Sequence, residues 1–365
     1  MSQTAHSRHF NRELDVRQLL KLRGVISTLG QAEYEVTPQE RAWMRADLVC
    51  PSCRCEGASI VRSDVKSARG NTRQAHFRFT GADGLTAHAP GCDFYALADA
   101  GGIQSGVDVS FMADDRDTRI VRELVCRAIA SGQLARTDIF AMRTWFLDRR
   151  AAGSFTVRGA PAMADWLYDV RRLVDMPVRF EPDHAALPGF SAHAAARRDL
   201  AFRYREFREA IPRLHLDAPA RDRTRRILER HPGQALVSME GLRPQYDATL
   251  QLARLMGEYG ALPLPKPITH YSADSRIPEA LLAFAAALLF VSGWDVAAAL
   301  GRFAILHAAP PPEDLTAANV MGLNPFHDFV ALEMARFIST IPSDPGRTWN
   351  LGEELAETRQ KVMAG

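Results

Sequence analysis

Lysine is nearly absent from this chain of 365 residues: only Lys21, Lys66, Lys266 and Lys361 occur, and none follows a glycine. A phosphate-cradling Gly-x4-Gly-Lys loop is therefore excluded. No His-Glu-x-x-His is present, which removes the helical zinc-protease arrangement. No Glu-x-Lys or Glu-x-Gln occurs either, so half of a restriction-type nuclease centre is missing. Cysteine is scarce and odd in number, at positions 50, 53, 55, 92 and 126. Most of these fall in one segment, a pattern that suits a metal site in a reducing compartment better than a disulfide framework. Charge of one sign is not in excess, the formal net charge being +2. Such a balance gives no global pull toward nucleic acid or anionic lipid, so a partner of that kind has to be met by a local patch.

Long apolar runs are missing too. The longest, residues 280–294, falls about a turn or more short of a membrane span and is followed by Asp295, so it reads as a buried helix. Arg8, Arg12, Glu13 and Asp15 interrupt any apolar core before Leu19, which speaks against a secretory signal and for a cytoplasmic protein without a membrane partner. The 47% apolar and 24% charged residues are the balance of a chain that buries a sizeable core in two or three domains.

What is present is mostly helical. Apolar residues recur at helical spacing over 12–29, 120–129, 139–146, 163–170, 248–256, 277–291, 295–307 and 326–341, and Leu200, Phe202, Tyr204 and Phe207 mark a further helix closed by Pro212. Thr37-Pro38-Gln39-Glu40 reads as an N-cap, a first-turn proline and a capping glutamate. Residues 47–95 change to strands. Ile60 and Val61 lie in one and residues 74–80 in another, with His76 and Arg78 on one face and Phe77 and Phe79 on the other, joined by a turn over 67–72. Residues 234–239 read as a lone strand, and the proline-rich stretch 261–267 as a linker.

The one constellation that dictates a chemistry lies in the strand region. Cys50-Pro51-Ser52-Cys53 is answered after 34 intervening residues by His88-Ala89-Pro90-Gly91-Cys92. Thiolates and imidazole in two close pairs are what a tetrahedral zinc ion needs, and a short Cys-x-x-Cys turn presents two sulfurs to one ion. Cys50, Cys53, His88 and Cys92 are the preferred ligands, because two paired turns close a site with less ordering than scattered groups. Cys55 could replace Cys53, and His76 could replace His88. Four protein ligands leave no position for water, so Zn2+ here is structural. A redox role suits the motif less well, since a redox dithiol usually opens a helix and this one leaves a strand.

At these residues the segment resembles the zinc-ribbon-like N-terminal module of competence-protein CoiA-like and related bacterial proteins. The likeness covers residues 46–96 and rests on Cys50-Pro51-x-Cys53, on Arg73-x-x-His76-Phe77, and on His88 to Cys92 with Phe94 close behind. Where that family tends to show His-Phe-x-His, this chain has His76-Phe77-Arg78-Phe79. The resemblance implies a module ahead of a nuclease-like domain, hence DNA handling in uptake, mobile elements or anti-phage defence. Downstream residues supply no matching nuclease motif; Asp64-Val65-Lys66 is the nearest fragment, and it lies inside the ribbon.

Residues 197–230 hold eleven arginines against six acids, with Phe202, Tyr204 and Phe207 interleaved. Arginine forks suit phosphate and exposed aromatics can stack on bases, whereas a solvated charged face over an aromatic core is the plainer account. His184 beside Asp183, His193 near Ser191 and His327 beside Asp328 lack a spaced third member for a triad. The expected architecture is α+β: a small zinc-bound β-ribbon docked on a larger mostly α-helical body. Its expected segments are 1–45 (helical), 46–98 (ribbon), 99–260 (helical, arginine-rich) and 268–365 (helical). The expected function is binding of nucleic acid or a nucleoprotein complex, with Arg197, Arg198, Arg203, Arg225 and Arg226 on phosphate. The alternatives are a protein-binding scaffold built on helices 277–307 and an enzyme, such as a nuclease, with a site assembled from distant residues.

Overall fold

The computed structural model describes residues 2, 4–28, 34–61, 75–89, 91–92, 94–95, 116–173, 181–212, 214, 216–259, 277–310, 324–342, 344 and 346–364. The turn at 67–72, the fragment Asp64-Val65-Lys66 and the linker 261–267 lie outside them. In chain order the elements are β1 (Thr4–Ser7), β2 (Arg12–Asp15), α1 (Val16–Leu22), α2 (Pro38–Asp47), β3 (Leu48–Val49), β4 (Ala58–Val61), β5 (His76–Phe79), α3 (Arg116–Ala130) and α4 (Arg136–Ala151). There follow β6 (Ser154–Thr156), α5 (Ala162–Arg171), α6 (Ala192–Arg203), α7 (Arg205–Ala210), α8 (Ala218–Arg230), β7 (Ala235–Val237) and α9 (Arg243–Tyr259). The last are α10 (Glu279–Val291), α11 (Val296–Ala308), α12 (Phe329–Thr340) and α13 (Leu351–Ala364). A small N-terminal β region carrying the Cys/His cluster thus precedes a large, predominantly helical body.

The chain forms two compact units, Met1–Gly153 with Gly241–His327, and Ser154–Glu240 with Asp328–Gly365. Each joins two separate stretches, whereas the sequence suggests consecutive segments.

In the first unit, residues 12–29 do not make one helix. Arg12–Asp15 pairs antiparallel with β1 in the register Thr4↔Asp15 to Ser7↔Arg12, and the turn between them carries Asn11 at φ 46°. Helix α1 starts only after Asp15, whose carboxylate accepts from the Gln18 N–H while the Gln18 side chain accepts from the Asp15 N–H. This reciprocal cap fixes the helix start and leaves Leu14 to the sheet. Strand β3 completes the order β2-β1-β3. Thr37 does cap α2, accepting from the Glu40 N–H at 3.2 Å, and the helix continues to Asp47.

The ribbon β4–β5 pairs Ala58↔Phe79 through Val61↔His76. Phe77 and Phe79 are buried and Arg78 is exposed, as the alternation requires. A two-stranded ribbon of this length cannot bury its own core. Its greasy face is covered by the N-terminal elements: Ala5, Leu14, Leu19, Leu20, Met44 and Leu48 form one core with Ala58, Phe77, Phe79 and Phe94, and Leu147 of α4 packs against it. Further along this unit, α10 is buried along Ala280–Leu289 and packs against α3, α4, α9 and α11. Asp295 caps α11, accepting from the Ala298 N–H at 2.9 Å. No single helix among the described residues is long and apolar enough to cross a membrane.

In the second unit, residues 234–239 are not a lone strand. β7 pairs with β6, a strand that sequence periodicity does not reveal because it is three residues long. The helix through 200–207 breaks at Tyr204 into α6 and α7. The break places Tyr204 and Phe207 against Trp166 of α5, with ring centroids 5.4 and 5.2 Å away. Trp349 closes the set at 5.1 Å, and the Arg347 guanidinium stacks 4.5 Å from Trp166 and 4.3 Å from Trp349 while pairing with Glu354 at 2.8 Å.

Polar burial ties the N-terminal sheet to α4. Glu13 and Arg143 are both buried and meet at 2.8 and 2.9 Å, and Thr4 donates its hydroxyl to the same carboxylate. Removing one partner strands a charge in the core, so Glu13→Ala is expected to lower stability by about 3–5 kcal/mol. Glu13→Leu combined with Arg143→Met is expected to lie closer to wild type in chemical denaturation, because neither charge is then left alone.

Candidate metal centre

Each pair of candidate ligands is presented by a turn that its own sequence closes. Cys50 leaves β3, and the Arg54 N–H donates to the Cys50 carbonyl at 3.1 Å. The Cys50 N–H donates to the Cys55 carbonyl at 2.9 Å, which folds the loop on itself. Arg54 sits at φ 59°, a conformation that favours glycine, and its guanidinium lies 5.0 Å from the Phe140 ring of α4. Gly57 follows at φ 91°, where a Cβ would come 2.4 Å from the Thr80 carbonyl oxygen, so β4 and β5 approach here only because a side chain is missing. In the second turn the Cys92 N–H donates to the Ala89 carbonyl at 3.1 Å, with Gly91 at φ 84°. The two turns mirror each other at sulfur: the Ser52 N–H donates to Cys50 Sγ and the Phe94 N–H to Cys92 Sγ, both at 3.4 Å.

These turns bring Cys50, Cys53, His88 and Cys92 together, with all four ligand atoms within 4.8 Å of one another. Zn–S bonds of ~2.3 Å and Zn–N bonds of ~2.0 Å at the tetrahedral angle place sulfurs about 3.8 Å apart and sulfur and nitrogen about 3.5 Å apart. Cys50 Sγ and Cys92 Sγ are 3.8 Å apart, and His88 Nδ1 is 3.5 Å from Cys53 Sγ and 3.6 Å from Cys92 Sγ. The residues therefore fit a four-coordinate metal of the zinc type. The His88 ring is held between Phe79 and Phe94, at centroid distances of 5.3 and 5.9 Å. Cys50, His88 and Cys92 are buried and Cys53 is half-buried.

Crowding of the sulfurs sets their charge. Burial, then hydrogen bonds to Cys53 and Cys55, push the Cys50 thiol far up. Hydrogen bonds from Cys50, Cys55 and Cys92 hold Cys53 far below the usual thiol range. For Cys55 the hydrogen bond with Cys50 pulls down, but Cys53, burial and the neighbouring negative charges outweigh it and push the thiol up to about 12. Without a cation, only part of the cluster can ionise.

One buried group supports the site from a distance. Arg150 of α4 donates to the Gly91 carbonyl at 3.0 Å, and also to the Pro325 carbonyl. It thereby fixes the turn between His88 and Cys92. The signal in the sequence is faint: Arg143 and Arg150 fall on the apolar stripe of Ile139, Met142 and Phe146. His76, half-buried on β5, is not part of the cluster. Among the described residues no other group of three or more His, Cys, Asp or Glu side chains is gathered closely enough to share a cation.

The arginines expected on phosphate are divided between two helices. Arg197, Arg198 and Arg203 lie on α6, and Arg225 and Arg226 on α8. Arg197, Arg203 and Arg225 are exposed, and Arg198 and Arg226 are half-buried. Arg203 pairs with Asp199 at 2.7 Å, and Arg226 donates to the Asp222 carbonyl at 3.1 Å. Tyr204 and Phe207 belong to the Trp166 cluster, in line with the plainer account of these aromatics as packing residues rather than base-stacking rings. Phe202 remains at the surface. No family model, curated protein or solved structure matches the chain.

Two outcomes follow for the centre. Arg150→Met is expected to weaken zinc binding about 10- to 100-fold while the ligands stay in place, as measured by competition with a chromophoric chelator. Because the raised thiol of Cys50 must lose its proton to bind metal, affinity is expected to fall steadily as pH is lowered, with proton release on binding as the readout.

Proposed function

We propose that the Cys50, Cys53, His88 and Cys92 cluster binds a structural Zn2+ that fastens the N-terminal module, and that the protein binds nucleic acid or a nucleoprotein complex through arginines of its second unit. The closed donor set carries the reading: three sulfurs and one imidazole nitrogen fill a tetrahedron and leave no position for a reacting water. A soft, nitrogen-and-sulfur donor set selects zinc over magnesium or calcium. Support for an anionic partner comes from Arg197, Arg198 and Arg225, which have no acidic partner among the described residues. The CoiA-like features of residues 46–96 suggest a bacterial setting of mobile elements or anti-phage defence.

Metal analysis of the purified full chain is expected to find one zinc per chain, lost together with folding stability in Cys50→Ser and Cys92→Ser. Binding of labelled DNA or RNA, followed by anisotropy across a salt series, is expected to weaken steeply, with a slope near −0.9 for each phosphate engaged on duplex DNA. Arg197→Gln with Arg198→Gln and Arg225→Gln should flatten that slope. Absence of binding to every nucleic acid, or binding indifferent to salt, would remove the reading.

A scaffold is the second reading. Helix α10 offers it nothing, being buried, but α11 exposes Ala297, Ala298, Gly301, Ala304, Ile305 and Ala308. Concentration-dependent association in light scattering, abolished by Ile305→Glu, would select it.

A further inference from the structure

We propose that Cys55 is a fifth donor of the metal centre, a reserve thiolate that enters the coordination sphere when His88 or Cys53 leaves it. The inference rests on the zinc reading above and extends it to a residue outside the four-ligand set. His88 Nδ1 lies 3.5 Å from Cys55 Sγ, the same distance as from Cys53 Sγ. That spacing is an edge of a zinc tetrahedron. Cys55 also sits within hydrogen-bonding reach of both Cys50 and Cys53. The bond from the Cys50 N–H to the Cys55 carbonyl, at 2.9 Å, pins the backbone of Cys55 to that of the first ligand. Its sulfur is half-buried and packs on the same core as Cys50 and Cys92. Five donors thus stand around four positions.

The consequence is kinetic as well as structural. Zinc has no geometric preference from its d electrons and passes readily through five-coordination. A sulfur already beside the ion can bond before another donor departs. Ligand exchange then proceeds without an intermediate short of a ligand. In any one arrangement a single donor is left off the metal; with Cys50, Cys53, His88 and Cys92 as ligands that donor is Cys55, which is more exposed than Cys50 and Cys92.

Cobalt and zinc binding by the full chain test the assignment. His88→Ala is expected to keep one metal per chain, with zinc affinity within about tenfold of wild type, because a fourth sulfur replaces the nitrogen; its Co2+ form should show stronger sulfur-to-cobalt charge transfer. His88→Ala with Cys55→Ser is expected to lose about a hundredfold or more, the share of one donor in a structural site. Brief iodoacetamide treatment of the zinc-loaded wild type, mapped by mass spectrometry, should label Cys55 ahead of Cys50, Cys53 and Cys92. Equal affinities for the single and double variants would overturn the proposal, and so would labelling of Cys55 no faster than of the other three. A wild type that takes up no zinc would instead sink the underlying four-ligand reading, and the two failures are told apart by that first measurement.

Discussion

Sulfur atoms brought within 3.8 Å of each other in a buried pocket repel as soon as more than one of them is ionised, and only a cation placed between them reverses that sign. The N-terminal module is organised around this constraint. The strands of its ribbon are four residues long, its turns rely on left-handed backbone at Arg54 and Gly57, and its core is lent by elements outside the ribbon. The two N–H bonds to sulfur and the aromatic walls around His88 act together to place the donors, and a cation bound among them would make their charges compatible.

The Cys/His cluster was legible in the sequence because each pair is local: Cys-x-x-Cys and His-x3-Cys encode their turns within a few residues. The alternation of His76, Phe77, Arg78 and Phe79 was legible for the same reason. What escaped depends on distant chain. The β1–β2 hairpin overrides a helical pattern over 12–15 because β1 and β3 offer Leu14 a sheet to join. Strand β6 finds its partner in β7, far along the chain, and three residues carry too little periodicity to announce it. Arg150 reaches Gly91 across the unit, so no local rule connects them. The aromatics near the arginines were ambiguous from spacing alone, and packing around Trp166 decides for Tyr204 and Phe207.

The preference for arginine over lysine has structural uses throughout the molecule. Arg143 forms a buried fork on Glu13, Arg150 holds two carbonyls, and Arg347 lies against two indoles while pairing with Glu354. A planar, weakly hydrated guanidinium can be buried, stacked and hydrogen-bonded at once, whereas an ammonium is a compact and strongly hydrated charge. Exchange for lysine at these three positions would keep the charge and lose the geometry.

The two units are interleaved along the chain: the first is interrupted by residues 154–240 and resumes at 241, and the second is completed only by 328–365. On a ribosome, neither can close when its opening segment emerges. Helix α10, the buried heart of the first unit, is synthesised after most of the second unit's sequence, and the residues that finish the second unit appear later than the whole of the first. A chain halted before α12 would therefore contain the whole of the unit with the Cys/His cluster and leave its companion without α12 and α13.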